Sequence, residues 1–239
     1  METASFFDRY PRFRETSHTD TRGHRLDYRY RMLIQGNQDL LRGARVLDLA
    51  SHDGRWAFAA HTEGAAHVTG VEARPGIVAS AEANFAAYGV PADRYELVTA
   101  DCLAAAHSFE PRRFDVVFCF GFLYHTMHHF DLLHTITRLE PRVLIVDSVL
   151  IDSKVPAVMI GIDDSTLEGA AVPVVSGNAE VLVGIPTTRA LDLMLTNLGW
   201  ELTYLDWHGA GFVDWTGVED YRDRKRFSLV ARRPSGEAA

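Results

Sequence analysis

The stretch Arg45–Ala59, RVLDLASHDGRWAFA, constrains the chain more than any other. Val46, Leu47 and Leu49 suit a short buried strand, yet Asp48 sits inside that run, where a carboxylate has no packing reason to be. Ala50, Ser51, His52, Asp53 and Gly54 follow as a small polar turn, and Arg55–Ala60 begin a helix. A strand, a tight glycine-bearing turn and a helix N-terminus make a seat for a nucleotide-like ligand. The turn lets backbone approach the ligand, and the free N–H groups of the first helical turn face it. The glycine spacing narrows the choice. A pyrophosphate cradle needs G-x-G-x-x-G, and only Gly54 stands here. A dinucleotide is therefore disfavoured, and an acid at the strand's end suits a ligand with a cationic group.

Strand and helix signals then alternate. His67–Glu72 reads as a second strand ending in an acid, and Glu72 stands 24 positions past Asp48 by number. An acid that grips a ribose diol is expected roughly 20 residues on, and a carboxylate can accept from two hydroxyls at once. The bland alternative is a solvated strand-end glutamate. Pro75 opens a helix to about Tyr88, Tyr95–Thr99 is a third strand, and Ala100-Asp101-Cys102 follows it. Phe114–Phe120, FDVVFCF, is the near-continuous apolar run expected of a strand buried on both faces. After it come Gly121–His125, a helix to about Leu139, and a fifth strand, Val143–Leu150, with Asp147 inside it. His128 and His129 can be read as helix-start residues. His125 lies just past a strand's C-terminus, at the crevice where doubly wound sheets bind ligands. Its imidazole can take a proton near neutral pH, which makes it the first candidate for a general base.

Asp48–Gly54, Glu72, Asp101 and the Gly121–His125 loop, in that order over about residues 44–148, resemble the motifs of class I S-adenosylmethionine-dependent methyltransferases. Ala50 and His52 depart from that pattern, standing where the family usually has glycine. The resemblance implies an α/β fold: a doubly wound, mostly parallel, seven-stranded Rossmann-like sheet with an antiparallel last strand. It implies S-adenosyl-L-methionine as cofactor, met by Asp48, Ala50, Ser51, Gly54, Glu72, Ala73, Asp101, Cys102, Phe120 and Gly121, with Asp101 toward the adenine amino group. Arg31 joins them as a candidate from the segment that closes the pocket before the first strand. Tyr124, His128, His129 and Trp215 are placed on the acceptor side. The phrase LASHDGRW and the Tyr-His loop look like those of bacterial O-methyltransferases for sugars and secondary metabolites, the methylmannoside type included, some of which use a divalent metal. The acceptor so implied is a hydroxyl of a sugar, glycan or small natural product. A small-molecule amine or carboxylate is the alternative. A non-catalytic S-adenosylmethionine-binding protein on the same scaffold is a second one.

Residues 1–43 are expected to form an N-terminal helical cap and residues 44–239 the catalytic-type domain, interrupted by an insertion at 151–186. Val155–Ile162 and Val181–Ile185 look like extra strands within it, and such an insertion suits a substrate wall or a homodimer contact. Asp147, Asp152, Asp163, Asp164 and Glu168 could include oxygen ligands for a divalent cation such as magnesium, or be solvated loop carboxylates. Thr187 caps a further helix. Trp200–Trp207 and Arg226–Arg232 read as an antiparallel ending to the sheet, joined by a long aromatic loop, His208–Tyr221, whose ring faces suit sugars or a partner. The formal net charge of −8 argues against a nucleic-acid partner. Two cysteines, Cys102 and Cys119, are expected as reduced thiols in a cytoplasmic protein. No apolar run reaches membrane-spanning length, and the polar N-terminus does not resemble a signal peptide.

Overall fold

β1 (Arg45–Leu49), β2 (His67–Glu72), β3 (Tyr95–Thr99), β4 (Val116–Phe120) and β5 (Val143–Val149) pair in parallel. β6 (Val158–Asp164) and β7 (Glu180–Pro186) form a separate antiparallel hairpin, and β8 (Glu201–Tyr204) and β9 (Arg226–Arg232) return to the main sheet. The seven-stranded order is β3-β2-β1-β4-β5-β9-β8, with β9 antiparallel to both of its neighbours. This is the mostly parallel doubly wound sheet expected, with its reversed strand and its inserted hairpin. The computed structural model describes residues 4–167, 169–172 and 179–234.

β4 shows why its sequence has no polar alternation. Val116, Phe118 and Phe120 join one core with Val46, Trp56 and Phe58, while Val117 and Cys119 join the other with Leu47, Leu133 and Leu144. Helices cover both faces, so every position of the strand is buried. Short helices α1 (Phe6–Arg9), α2 (Arg12–Glu15), α3 (Arg25–Arg29) and α4 (Gln38–Leu41) cover the first face together with α5 (Arg55–Thr62) and α6 (Pro75–Ala87). The other face carries α7 (Cys102–Ser108), α8 (His129–Arg138) and α9 (Thr188–Asn197). Phe7 and Phe13 are fully buried beside Trp56 and Phe58, so residues before β1 complete a core rather than lie upon it. Cys102 and Cys119 are both buried free thiols.

The long loop after β8 is not structureless. Trp207, Phe212, Val218 and Tyr221 make a small core of their own, Trp207 stacks on Tyr221 at 3.6 Å, and α10 (Glu219–Arg222) closes the segment. Among the described residues no helix is long and apolar enough to cross a membrane.

The turn after β1 rests on Gly54, at φ +81°. A Cβ there would lie 2.8 Å from the Phe85 ring, whereas one at Gly43, φ +70°, would meet nothing within 4 Å. Both substitutions to alanine strain the backbone, by roughly 1–2 kcal/mol, but only Gly54→Ala adds a clash with the core. Urea unfolding of the two variants should therefore rank Gly54→Ala as the more destabilised, by about 1–3 kcal/mol beyond Gly43→Ala.

Candidate functional site

A cavity of about 920 Å³ opens at the C-terminal ends of β1, β2 and β4, where the strand order reverses. Its floor is the turn after β1. Ala50 and His52 sit at φ +57° and +53°, left-handed conformations that glycine adopts more cheaply. The surroundings fix them. The Ala50 N–H donates to Cys102 Sγ at 3.2 Å, the Ser51 N–H to the Val71 carbonyl at 2.9 Å, and the His52 N–H to Glu72 Oε2 at 3.2 Å. Below, Asp53 accepts from Arg55 at 2.7 Å and from Thr16 at 2.7 Å. Burial pushes the Asp53 carboxyl up, but the Arg55 guanidinium and His52 outweigh it and hold the group at about 2.

Ala50, Glu72, Ala73, Asp101, Cys102, Phe120 and Gly121 all line the cavity. Glu72 ends β2 with Oε1 accepting the Arg74 N–H at 3.0 Å, and each carboxylate oxygen keeps a further lone pair. Asp101 caps α7, its Oδ1 taking the N–H groups of Leu103 and Ala104.

Four cofactor positions fall elsewhere. Asp48 is fully buried beneath the turn, where Oδ2 accepts the Ala57 N–H of α5 at 3.1 Å and Oδ1 has no partner among the described residues. Ser51 fills the space left by the missing side chain of Gly70 on β2, and Gly54 packs against Phe85 and Ala81. Arg31 is exposed, with its guanidinium 4.8 Å over the Phe212 ring. The reason is helical register: Arg25 and Arg29, four residues apart, share the face that lines the cavity, while Arg31 is two positions further round. Sequence spacing alone does not say which arginine of this segment faces the cavity.

Arg29 reaches a buried network whose members carry no common signal in the sequence. Asp147, wholly buried on β5, accepts from Arg29 at 2.6 Å, Arg226 at 3.2 Å, Tyr221 at 3.0 Å and Ser228 at 2.9 Å. Burial raises the Asp147 carboxyl, but the two guanidinium groups outweigh it and hold it below the ordinary value. Asp220 pairs with Arg25 and Arg226. Arg29 Nε is buried beside the cavity with no partner among the described residues.

His125, in a short turn after β4, also lines the cavity. Its Nδ1 lies 2.8 Å from Asp163 Oδ2, a residue of the inserted hairpin. Burial pushes the imidazole below its ordinary value, against the pull of the Asp163 carboxylate. Tyr124 faces the cavity as well and accepts from Arg226 at 3.1 Å. His128 is exposed at the rim.

His129 and Trp215 do not reach the cavity. His129 is buried and its Nε2 bonds the Gly184 carbonyl of β7 at 2.9 Å, so it fastens the hairpin to the turn. Trp215 packs in the small core around Phe212. The acids suggested for a metal are likewise separated and occupied: Asp147 in its arginine network, Asp152 against Arg224, Asp163 against His125, and Asp164 on Thr166. Glu168 lies outside the described residues. Among the described residues no three His, Cys, Asp or Glu side chains gather as ligands, so this donor set does not fit a magnesium site.

Residues 46–141 match the family described as methyltransferase domain. No curated protein matches the chain. Among solved structures, the N-terminal domain of EvdMO1 with SAH bound is 20% identical, with a TM-score of 0.62 over 84% of this chain and 79% of that one. An S-adenosylmethionine dependent methyltransferase from Mesorhizobium loti is 15% identical, with a TM-score of 0.59 over 83% and 96%. The [4+2]-cyclase SpnF is 19% identical, with a TM-score of 0.54 over 83% and 81%.

The buried acids and the missing ligand cluster each make a measurable difference. Burial pushes Asp48 up to about 8, so between about pH 4 and pH 8 the folded chain holds a proton that the unfolded chain has lost. The stability linked to that proton is fully present below pH 4 and is lost as pH rises toward 8. Asp48→Asn should remove this slope, so that its stability relative to the parent chain increases from pH 5 to pH 8 in urea titrations. Dialysis against a chelator should leave the thermal unfolding midpoint unchanged, and calorimetry should detect no site for magnesium or manganese.

Proposed function

We propose that this chain, an S-adenosylmethionine-dependent methyltransferase with its methyltransferase domain over residues 46–141, methylates a hydroxyl of a sugar or small natural product with His125 as general base. One observation carries the reading: a histidine at the C-terminal end of β4, facing the cavity, with Nδ1 held by a carboxylate and Nε2 left to take a proton. A hydroxyl must lose its proton as it gains the methyl group. A carboxylate is already ionised at neutral pH, and a neutral amine brings its own lone pair. A poised base is thus most useful to a hydroxyl acceptor.

The residues also fit the cofactor. Glu72 offers two oxygens to the ribose diol at the end of β2, and Asp101 stands at the end of β3 for the adenine. Arg29, with its orphaned Nε, takes the part expected of Arg31 and meets the amino-acid carboxylate. When bound, the cofactor supplies a methyl group on a positively charged sulfur. The chain's own contribution is then proximity and orientation. Phe120, Phe122 and Tyr124 line the cavity and exclude water, and His125 Nε2 receives the acceptor's proton. The cavity's volume lies at the upper end of the roughly 300–1,000 Å³ usual for ligand sites, so an acceptor fits beside the cofactor. A sugar acceptor is in keeping with the similar EvdMO1 domain, whose structure was also determined in the presence of SAH and D-fucose.

A turnover screen of sugars and hydroxylated metabolites with S-adenosylmethionine tests the acceptor class. For the best acceptor, His125→Ala should lower kcat/KM by about 10²–10⁴-fold while S-adenosylhomocysteine still binds within a few-fold. The acid limb of the pH profile should lie below the ordinary histidine value of about 6.5. Undiminished turnover by His125→Ala would remove the base.

A further inference from the structure

Resting on His125 as the base, we infer that Arg74 and Asp163 are positioning residues: Arg74 clamps the turn that follows β6, and that turn holds the Asp163 carboxylate against His125. The contacts form one unbroken chain. Arg74 follows the β2 acid, Glu72, by two positions, and its backbone N–H donates to that acid's Oε1 at 3.0 Å. Its guanidinium then leaves the sheet and donates to three carbonyls of the insertion: Ala170 at 3.0 Å, Leu167 at 3.0 Å and Ser165 at 3.3 Å. Within the clamped segment the Ala171 N–H returns to Asp163 Oδ2 at 2.9 Å, the same oxygen that meets His125 Nδ1 at 2.8 Å.

The hairpin is anchored from its other strand as well. The Gly184 N–H of β7 donates to the Thr126 carbonyl at 3.2 Å, and its own carbonyl accepts from His129. A Cβ at position 184 would lie 2.6 Å from the His129 ring, so β7 sits directly on the His125–His129 segment. The base is therefore assembled from two elements far apart in sequence. The turn after β4 provides the imidazole, and the insertion provides the group that sets its tautomer and its aim. With Nδ1–H donated to Asp163, only Nε2 can accept a proton. Neither Arg74 nor Asp163 needs to touch the reacting atoms to control how many molecules hold a correctly aimed base.

A guanidinium can fork across several carbonyls at once, which an ammonium cannot do in the same geometry. Arg74→Lys should therefore fall between the parent enzyme and Arg74→Ala. Asp163→Asn preserves shape while removing the charge. It should lower kcat by about 10–100-fold, with KM for the cofactor little changed. It should also move the acid limb of the kcat profile to lower pH, because the carboxylate that pulls the histidine upward is gone while burial and the Arg226 and Arg74 guanidinium groups, which push it down, remain. A role confined to folding would lower active-enzyme concentration without moving that limb. Arg74→Ala should lower kcat in the same direction, and the double variant Arg74→Ala/Asp163→Asn should be no slower than Asp163→Asn alone, because both act through one carboxylate.

Two results would overturn the inference. One is an acid limb that stays in place in Asp163→Asn. The other is an Arg74→Ala loss that is undiminished in the Asp163→Asn background. The His125→Ala variant separates this failure from that of the base itself. If His125→Ala is inactive while Asp163→Asn is normal, the positioning chain is wrong and the base stands. If His125→Ala is fully active, the base reading falls and the positioning chain with it.

Discussion

The structure depends on a carboxylate that ought not to be where it is. Asp147 has no solvent exposure, and an ion moved out of water costs several kcal/mol unless its partners are well placed. Here they come from three separate pieces of chain: Arg29 from α3, Tyr221 from α10, and Arg226 and Ser228 from β9. None of these pieces neighbours β5 in sequence, so the acid works as a joint. It ties the segment before the first strand and the loop before the last one to the end of the sheet nearest the cavity. Removing it would leave guanidinium groups buried without their counter-ion, which is why such joints break expensively even where they contribute little net stability.

The same joint sets the electrostatics of the cavity. Arg25, Arg29 and Arg226 are held by Asp147 and Asp220, so guanidinium groups gather on this side of the cavity, with Asp20 also in its lining. At the ends of β2 and β3, by contrast, Glu72 and Asp101 bring negative charge to the cavity lining. A ligand that carries a carboxylate at one end and hydroxyls and an amine at the other matches that division. The protein presents this polarity through buried or backbone-fixed groups, so little reorganisation is needed when the ligand arrives.

Much of this is legible in the sequence because backbone periodicity carries it. The strand positions, the acid ending β2, the insertion and the reversal of the last strands follow from apolar runs, turn residues and spacing. What is not legible depends on direction. Asp48 has the composition of a ligand contact, but it points under the turn and holds α5. Arg29 and Arg31 differ by two helical positions and therefore by nearly opposite faces. His129 and Trp215 have the chemistry of acceptor contacts, being polar or aromatic and set in loops, yet each is consumed by packing. Asp163 illustrates the converse. Its charge is plain in the sequence, but only the folding of the inserted hairpin against the turn after β4 reveals that its partner is an imidazole 38 positions away.

The hairpin's two roots have a consequence for how such an enzyme can change. Ile151 bridges Thr187, so the chain leaves the domain and rejoins it at nearly one point. A segment attached in this way can be exchanged for another of different length without disturbing the strands on either side. Because this particular segment also brings the carboxylate that meets His125, an exchange would alter the shape of the cavity and the partner of that imidazole together. Divergence of the cavity on this scaffold would then proceed by whole replacement of a module rather than by gradual reshaping of its lining.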